Sequence, residues 1–298
     1  MSFMLLGILN SQASGGAAGA PLYVLGGYDG KFRTSVDGTT WDTRSNLMDR
    51  TINAITWAEE LYVAGGDNDR FKTSIDGITW TTRSTGFGTS ISIYTVAYGD
   101  GRYLAAGDAG SLATSTDGAS WTTRTSGFGS TNIRGVGFGN GLYLAAGFDG
   151  KLTSSTDGAS WTSRTSGFGS SNIYGVAYGE GLYVIVGSSG KLSTSPNGIT
   201  WTSRTSGFGT TVIQSITYGD GVFVIGGVAG KLYTSTNGTS WSGRSSGFLS
   251  DAIHGVGNQK GLYLAVGAGG NLSTSSNNGI TWTSRTSGFG TTNINAVT

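Results

Sequence analysis

The sequence predicts an all-β protein: a seven-bladed β-propeller whose four-stranded antiparallel blades form one closed ring. Three observations carry that prediction. First, a D/N-G-x-x-W motif recurs with its tryptophan at Trp41, Trp80, Trp121, Trp161, Trp201, Trp241 and Trp282, so seven units of about forty residues fill most of the 298-residue chain. Second, each unit breaks at glycines into four short runs rich in aromatic and β-branched residues, a composition that favours strands over helices. Third, the chain opens on the second run of a unit and closes on the first, so its two ends complete one blade.

Named outward from the ring axis, the strands are A to D. In one unit, A is predicted over Asn172–Tyr178, B over Leu182–Gly187, C over Lys191–Ser195 and D over Thr200–Ser206. A single such sheet cannot bury its own faces, and stacking the units around a ring buries them all. The closing blade takes its B strand from Leu22–Gly26 and its A strand from Asn293–Thr298, which removes free sheet edges that would invite aggregation.

Composition narrows the function. With 12% charged residues and a formal net charge of +1, there is no electrostatic ground to expect nucleic acid or an anionic membrane as partner. The absence of cysteine rules out disulfides and thiolate metal sites. Glutamate occurs only at Glu59, Glu60 and Glu180, and His254 is the sole histidine. No acidic pair marks itself out for the roughly 5–10 Å separation that two-carboxylate glycoside hydrolysis needs. The chain is therefore expected to be no enzyme, with no catalytic residues, no cofactor and no metal.

Two segments are expected, an N-terminal anchor and linker over 1–20 and the propeller over 21–298. The segment MSFMLLGILNSQASGGAAGA has no basic region of the kind a signal peptide carries, and its apolar run, Phe3–Leu9, is too short to span a bilayer. It is expected to be held by a neighbouring protein.

Positions repeated in every unit read as structural. The arginine three residues after each tryptophan (Arg44, Arg83, Arg124, Arg164, Arg204, Arg244 and Arg285) is expected to bridge strand D to a neighbouring turn or to stack on a ring, with seven anion sites as the alternative. The Gly-Phe pair of the D-to-A loop is expected to plug gaps between blades, with sugar platforms as the alternative. Positions that vary are free to specialise. The residue after the isoleucine that opens strand A is Asn53, Tyr94, Arg134, Tyr174, Gln214, His254 or Asn295, every one able to hydrogen-bond a carbohydrate or peptide. These seven are expected to form a ligand-binding collar at one channel mouth, on the rim where the B-to-C turns open. One sector departs from the pattern: the loop Asn46–Arg50 lacks Gly-Phe, and Asp49, Asp67 and Asp69 are expected to form with Arg70 a charged patch for a partner or a cation.

The heptapeptide S-T-D-G-A-S-W, at Ser115–Trp121 and Ser155–Trp161, resembles the Asp-box S-x-D-x-G-x-x-W of sialidase-like propellers with one residue missing. Only Ser275–Trp282 has the full spacing, with Asn277 in place of Asp. The resemblance implies a structural role, in which Asp37, Asp76, Asp117, Asp157, Asn197, Asn237 and Asn277 cap backbone N–H groups between strands C and D while the tryptophan packs between blades. In general arrangement, an apolar peg, a glycine-rich linker and a propeller head resemble phage tail-fibre or virion appendage proteins. That likeness implies a virion component in several copies, docked to the particle through residues 1–20 and recognising a host surface glycan or receptor; secretion or cell-surface display is the alternative. Similar turns in photosystem assembly-factor propellers leave open a scaffold that binds a protein partner, and the Asp-box leaves open a sialidase-like hydrolase.

Overall fold

The glycine-bounded runs form strands close to where the repeat places them. A computed structural model describes residues 22–298, and in it the runs build seven four-stranded antiparallel sheets. In the unit taken above, A spans Ile173–Gly179, B Leu182–Gly187, C Leu192–Ser195 and D Thr202–Arg204. Strand D is shorter than predicted because both its flanks are used elsewhere. The Thr200 N–H donates to Asn197 Oδ1 at 3.0 Å, and Ser206 Oγ donates to the Gly190 carbonyl at 2.7 Å. Blades 1 to 6 run from Ile52 to Arg285, and the seventh pairs Tyr23–Gly27 with Ile294–Val297. There Leu25 lies opposite Val297, and Val24 and Thr298 exchange both backbone hydrogen bonds at 3.1 Å. The first and last described strands thus pair where other blades have an A-to-B hairpin turn such as Glu180-Gly181. Both residues of that turn have positive φ, 48° and 72°, as a type I′ hairpin requires. The anchor segment expected over 1–20 lies outside the described residues.

Each Asx turn between C and D ties itself down. Ser115 Oγ donates to Asp117 Oδ1 at 2.9 Å and accepts from the Gly118 N–H at 2.8 Å, and Asp117 Oδ1 accepts the Ala119 and Ser120 N–H groups at 2.8 Å. Asn197 and Asn237 accept the equivalent pairs at 2.9–3.0 Å, so a carbonyl oxygen does the same work as a carboxylate oxygen. The longer turn at Ser275–Trp282 fits its extra residue by placing Asn278 at φ 58°, and Thr281 N–H still reaches Asn277 Oδ1 at 3.0 Å. The tryptophans pack on the preceding blade: Trp121 meets Phe71 edge-on at 4.8 Å, and Trp80 meets Phe32 at 6.3 Å.

A tyrosine in strand B stitches neighbouring blades together. The hydroxyls of Tyr103 and Tyr143 donate to the carbonyls of Ala58 and Gly99, the last residues of the preceding A strands, each at 2.6 Å. Tyr183 and Tyr263 do the same to Gly139 and Gly219. At the closure, Tyr23 reaches Gln259 and Tyr62 reaches Leu22. Blade 5 has Phe223 at this place and makes no such bond.

The two ends of the ring differ in charge. The A-to-B and C-to-D turns share one end, which carries Glu59, Glu60, Asp100, Glu180 and Asp220 in the former and four aspartates in the latter. The B-to-C turns and D-to-A loops share the other end, where acidic and basic residues balance.

Candidate functional site

At the second end, each strand A opens with a β-bulge. Ile133 pairs with Gly147 and Gly135 with Ala146, which leaves Arg134 as the extra, unpaired residue. The same shift isolates Asn53, Tyr94, Tyr174, Gln214, His254 and, in the closing blade, Asn295. Every collar residue predicted from variability is therefore a bulge residue. Strand alternation does not set its direction, because a bulge re-aims the side chain it carries.

The bulges bring several of these side chains against one another across blades or against the B-to-C turns. The Arg134 guanidinium lies 3.6 Å from the centroid of the Tyr94 ring and 4.7 Å from that of Phe148, and Phe148 meets Tyr174 edge-on at 6.2 Å. Arg134 is only 8% exposed, and burial lowers its pKa, opposed by Tyr94 and Asp108. Burial also raises the Tyr94 phenol. Across the ring, His254 Nδ1 lies 3.2 Å from Asn295 Oδ1, and desolvation lowers the imidazole pKa, keeping it neutral near pH 7. Asn53 Nδ2 donates to Asp67 Oδ1 at 2.7 Å, and Ser188 Oγ donates to the Tyr174 hydroxyl at 3.4 Å. The bulges of blades 2 to 4 thus hold aromatic rings and a guanidinium. Those of the other blades hold carboxamides and an imidazole.

The irregular sector resolves into separate tasks. Arg70 grips Asp49 with two bonds, Nε to Oδ1 at 2.5 Å and Nη2 to Oδ2 at 2.9 Å, which holds the Asp49 carboxyl near about 2. This pair is a variant of a repeated loop clamp, since Lys151 and Lys231, at the position of Arg70, reach Thr131 and Thr211 of their D-to-A loops. Asp67 turns to the collar. Asp69 accepts the Thr85 hydroxyl at 2.6 Å, and burial raises its pKa. Asp69 stands, at φ 54°, where the other six blades have glycine. Among the described residues, no three His, Cys, Asp or Glu side chains gather as a metal would require. Leu47 and Met48 fill the space that phenylalanine fills elsewhere, both buried.

The repeated arginines bridge differently from expectation. Each donates Nε to a Thr or Ser hydroxyl on strand C of its own blade, as Arg124 does to Thr114 at 3.0 Å and Arg164 to Ser154 at 2.8 Å, and not to a neighbouring turn. The cause is register: Arg124 lies opposite Leu112, two residues from Thr114 on the same face. The loop phenylalanines plug, with Phe128, Phe168 and Phe208 fully buried and only Phe87 partly open. Phe148, which completes the cage around Arg134, and the strand B tyrosines were not singled out by sequence. An aromatic at a turn position that only Tyr28 shares, the other blades having Asp, Ser, Val or Ala, was the available signal for the first.

A closed ring of these repeats has a family. The sequence matches the DUF6242 beta propeller domain over residues 95–207 and again over 193–298. The chain belongs to the DUF6242 propeller family. No curated protein matches it in sequence. Solved structures similar to this DUF6242 propeller include Ycf48 bound to a D1 peptide, with a TM-score of 0.69, 14% identity, and coverage of 86% of this chain and 88% of that one. Ycf48 from Cyanidioschyzon merolae follows at 0.64 and 16%, covering 84% and 89%. Virginiamycin B lyase from Staphylococcus aureus superposes at 0.69 and 12%, covering 78% and 83%. At these identities the likeness is one of fold.

Proposed function

We propose that this propeller is a non-enzymatic binding head that recognises a surface glycan at the collar mouth. The supporting observation is the cluster in which Arg134 lies on Tyr94 and Phe148 and Phe148 meets Tyr174, at the end of the ring where the other blades carry polar bulge residues. Rings take the C–H face of a sugar, while carboxamide, guanidinium and imidazole groups take its hydroxyls. Tyr28, 41% exposed on a B-to-C turn, adds a further ring at this end. Single contacts of millimolar order, about −4 kcal/mol, become useful when several copies act together. That suits a virion appendage or a secreted or cell-surface protein anchored through residues 1–20. The test is a glycan array with the parent protein and with Arg134→Gln/His254→Ala. A ligand bound by the parent and lost by the folded variant supports the reading, and signals no higher than background sink it. Particles purified without the protein would remove the virion part.

A second reading is a scaffold that takes a protein segment at the same mouth. It is favoured by the Ycf48 structure, whose propeller is bound to a D1 peptide. Selection from a displayed peptide library decides between the two: a peptide that needs Arg134 and His254 favours the scaffold.

A further inference from the structure

The formal charge of +1 conceals a sorting of charge by place. Nine carboxylates occupy the A-to-B and C-to-D turns, and the basic residues beside those turns are Arg102 and Lys260. Strand D, the outermost strand of every blade, carries seven arginines and a single carboxylate, Asp42, which pairs with Arg44 at 3.1 Å. The outer rim is thus a basic belt, set apart from the acidic end of the ring.

The belt is built, not merely charged. All seven guanidinium groups are anchored through Nε to a strand C hydroxyl at 2.8–3.1 Å. That bond uses one of five N–H donors and fixes the side chain, so a ligand meets guanidinium groups whose orientation is already set. Exposed hydroxyls flank each one, as Thr162, Ser163 and Thr165 flank Arg164. The tryptophans that precede these strands are half-buried, as Trp121 is against Phe71 of the preceding blade, so the groups the rim presents most openly are guanidinium and hydroxyl.

We infer that the outer rim binds a linear acidic polysaccharide, its repeated carboxylates meeting successive arginines and its hydroxyls meeting the Thr and Ser side chains between them. This surface is separate from the collar, and its occupancy does not depend on what the collar takes.

The experiment measures affinity for polygalacturonate across a salt series, with neutral dextran and single-stranded DNA of equal charge alongside. The variants are Arg124→Gln/Arg164→Gln/Arg204→Gln, the same three positions changed to Lys, and the collar pair Arg134→Gln/His254→Ala, each checked for fold by circular dichroism. The glutamine triple is expected to weaken binding by about tenfold or more at low salt and to flatten the salt slope by about two units. The lysine triple, which keeps the charge but loses the Nε anchor, is expected to fall between the parent and the glutamine triple, and the collar pair to stay within about threefold of the parent. Polygalacturonate bound no better than dextran, or a folded glutamine triple that binds like the parent, overturns the belt. So does equal loss in the collar pair. Tighter binding of the DNA overturns the choice of polysaccharide.

Discussion

Replacing Tyr143 with phenylalanine removes one hydroxyl and nothing else. The side chain is 1% exposed, and its hydroxyl donates at 2.6 Å to the Gly99 carbonyl of the preceding blade. Gly99 is itself buried, so water cannot easily replace the lost donor. A net hydrogen bond is worth about 0.5–1.5 kcal/mol and a stranded buried acceptor costs about 1–3, so a loss of roughly 2 kcal/mol is expected. Blade 5 supplies the reverse experiment, because Phe223 faces the equivalent Gly179 carbonyl with no hydroxyl; Phe223→Tyr is expected to gain about 1 kcal/mol. Urea unfolding followed by tryptophan fluorescence reads both as shifts of midpoint at constant slope. The phenol adds a pH signature. Burial pushes Tyr143 up to about 12, so the stability it contributes is complete below about 10 and is lost as pH rises through 12. Tyr143→Phe should blunt that alkaline loss. A midpoint unchanged in Tyr143→Phe together with a destabilised Phe223→Tyr would refute the idea that these hydroxyls hold blade to blade.

Three further outcomes follow from the same geometry. Asp117 is held near about 2 by the N–H groups of Ser120 and Ala119, so its contribution is present above about pH 4 and lost as pH falls toward 2. Asp117→Asn should keep the turn, as Asn197 does, and flatten that part of a melting-temperature profile between pH 5 and 2. Asp69→Gly relieves a left-handed residue where six blades use glycine, and should raise stability by on the order of 1 kcal/mol in urea unfolding. Loss of stability instead would show that the Thr85 bond outweighs the strain. Gly139→Ala would set a Cβ 2.1 Å from Tyr178 Cγ, and should cost about 1–3 kcal/mol by calorimetry, since the near atoms are the root of a ring on the next blade and cannot swing away.

The fold was legible because a forty-residue period repeats its own punctuation. Trp, the Asx turn and the paired glycines recur, and the ring needs both chain ends to finish one sheet, so the Leu25–Val297 pairing could be anticipated from where the strands begin and end. The positions that vary from Asn53 through Asn295 are, in every blade, the bulge residue of strand A. The bulge was not legible, because skipping Arg134 in the pairing of Ile133 and Gly135 depends on the partner strand. Nor was the task of the arginines, which is set by the register between strands C and D.

Sequence by itself determined the seven units, their four strands, the turn chemistry and the closure, because those depend on local pattern repeated along the chain. Only the tertiary structure decided that Arg134 stacks on Tyr94 of the preceding blade, that Asp49, Asp67 and Asp69 take different partners, and that a nearly neutral chain separates into an acidic end and a basic rim. Such facts belong to distances between units, and a repeat specifies each unit without stating which side chains of its neighbours it will meet.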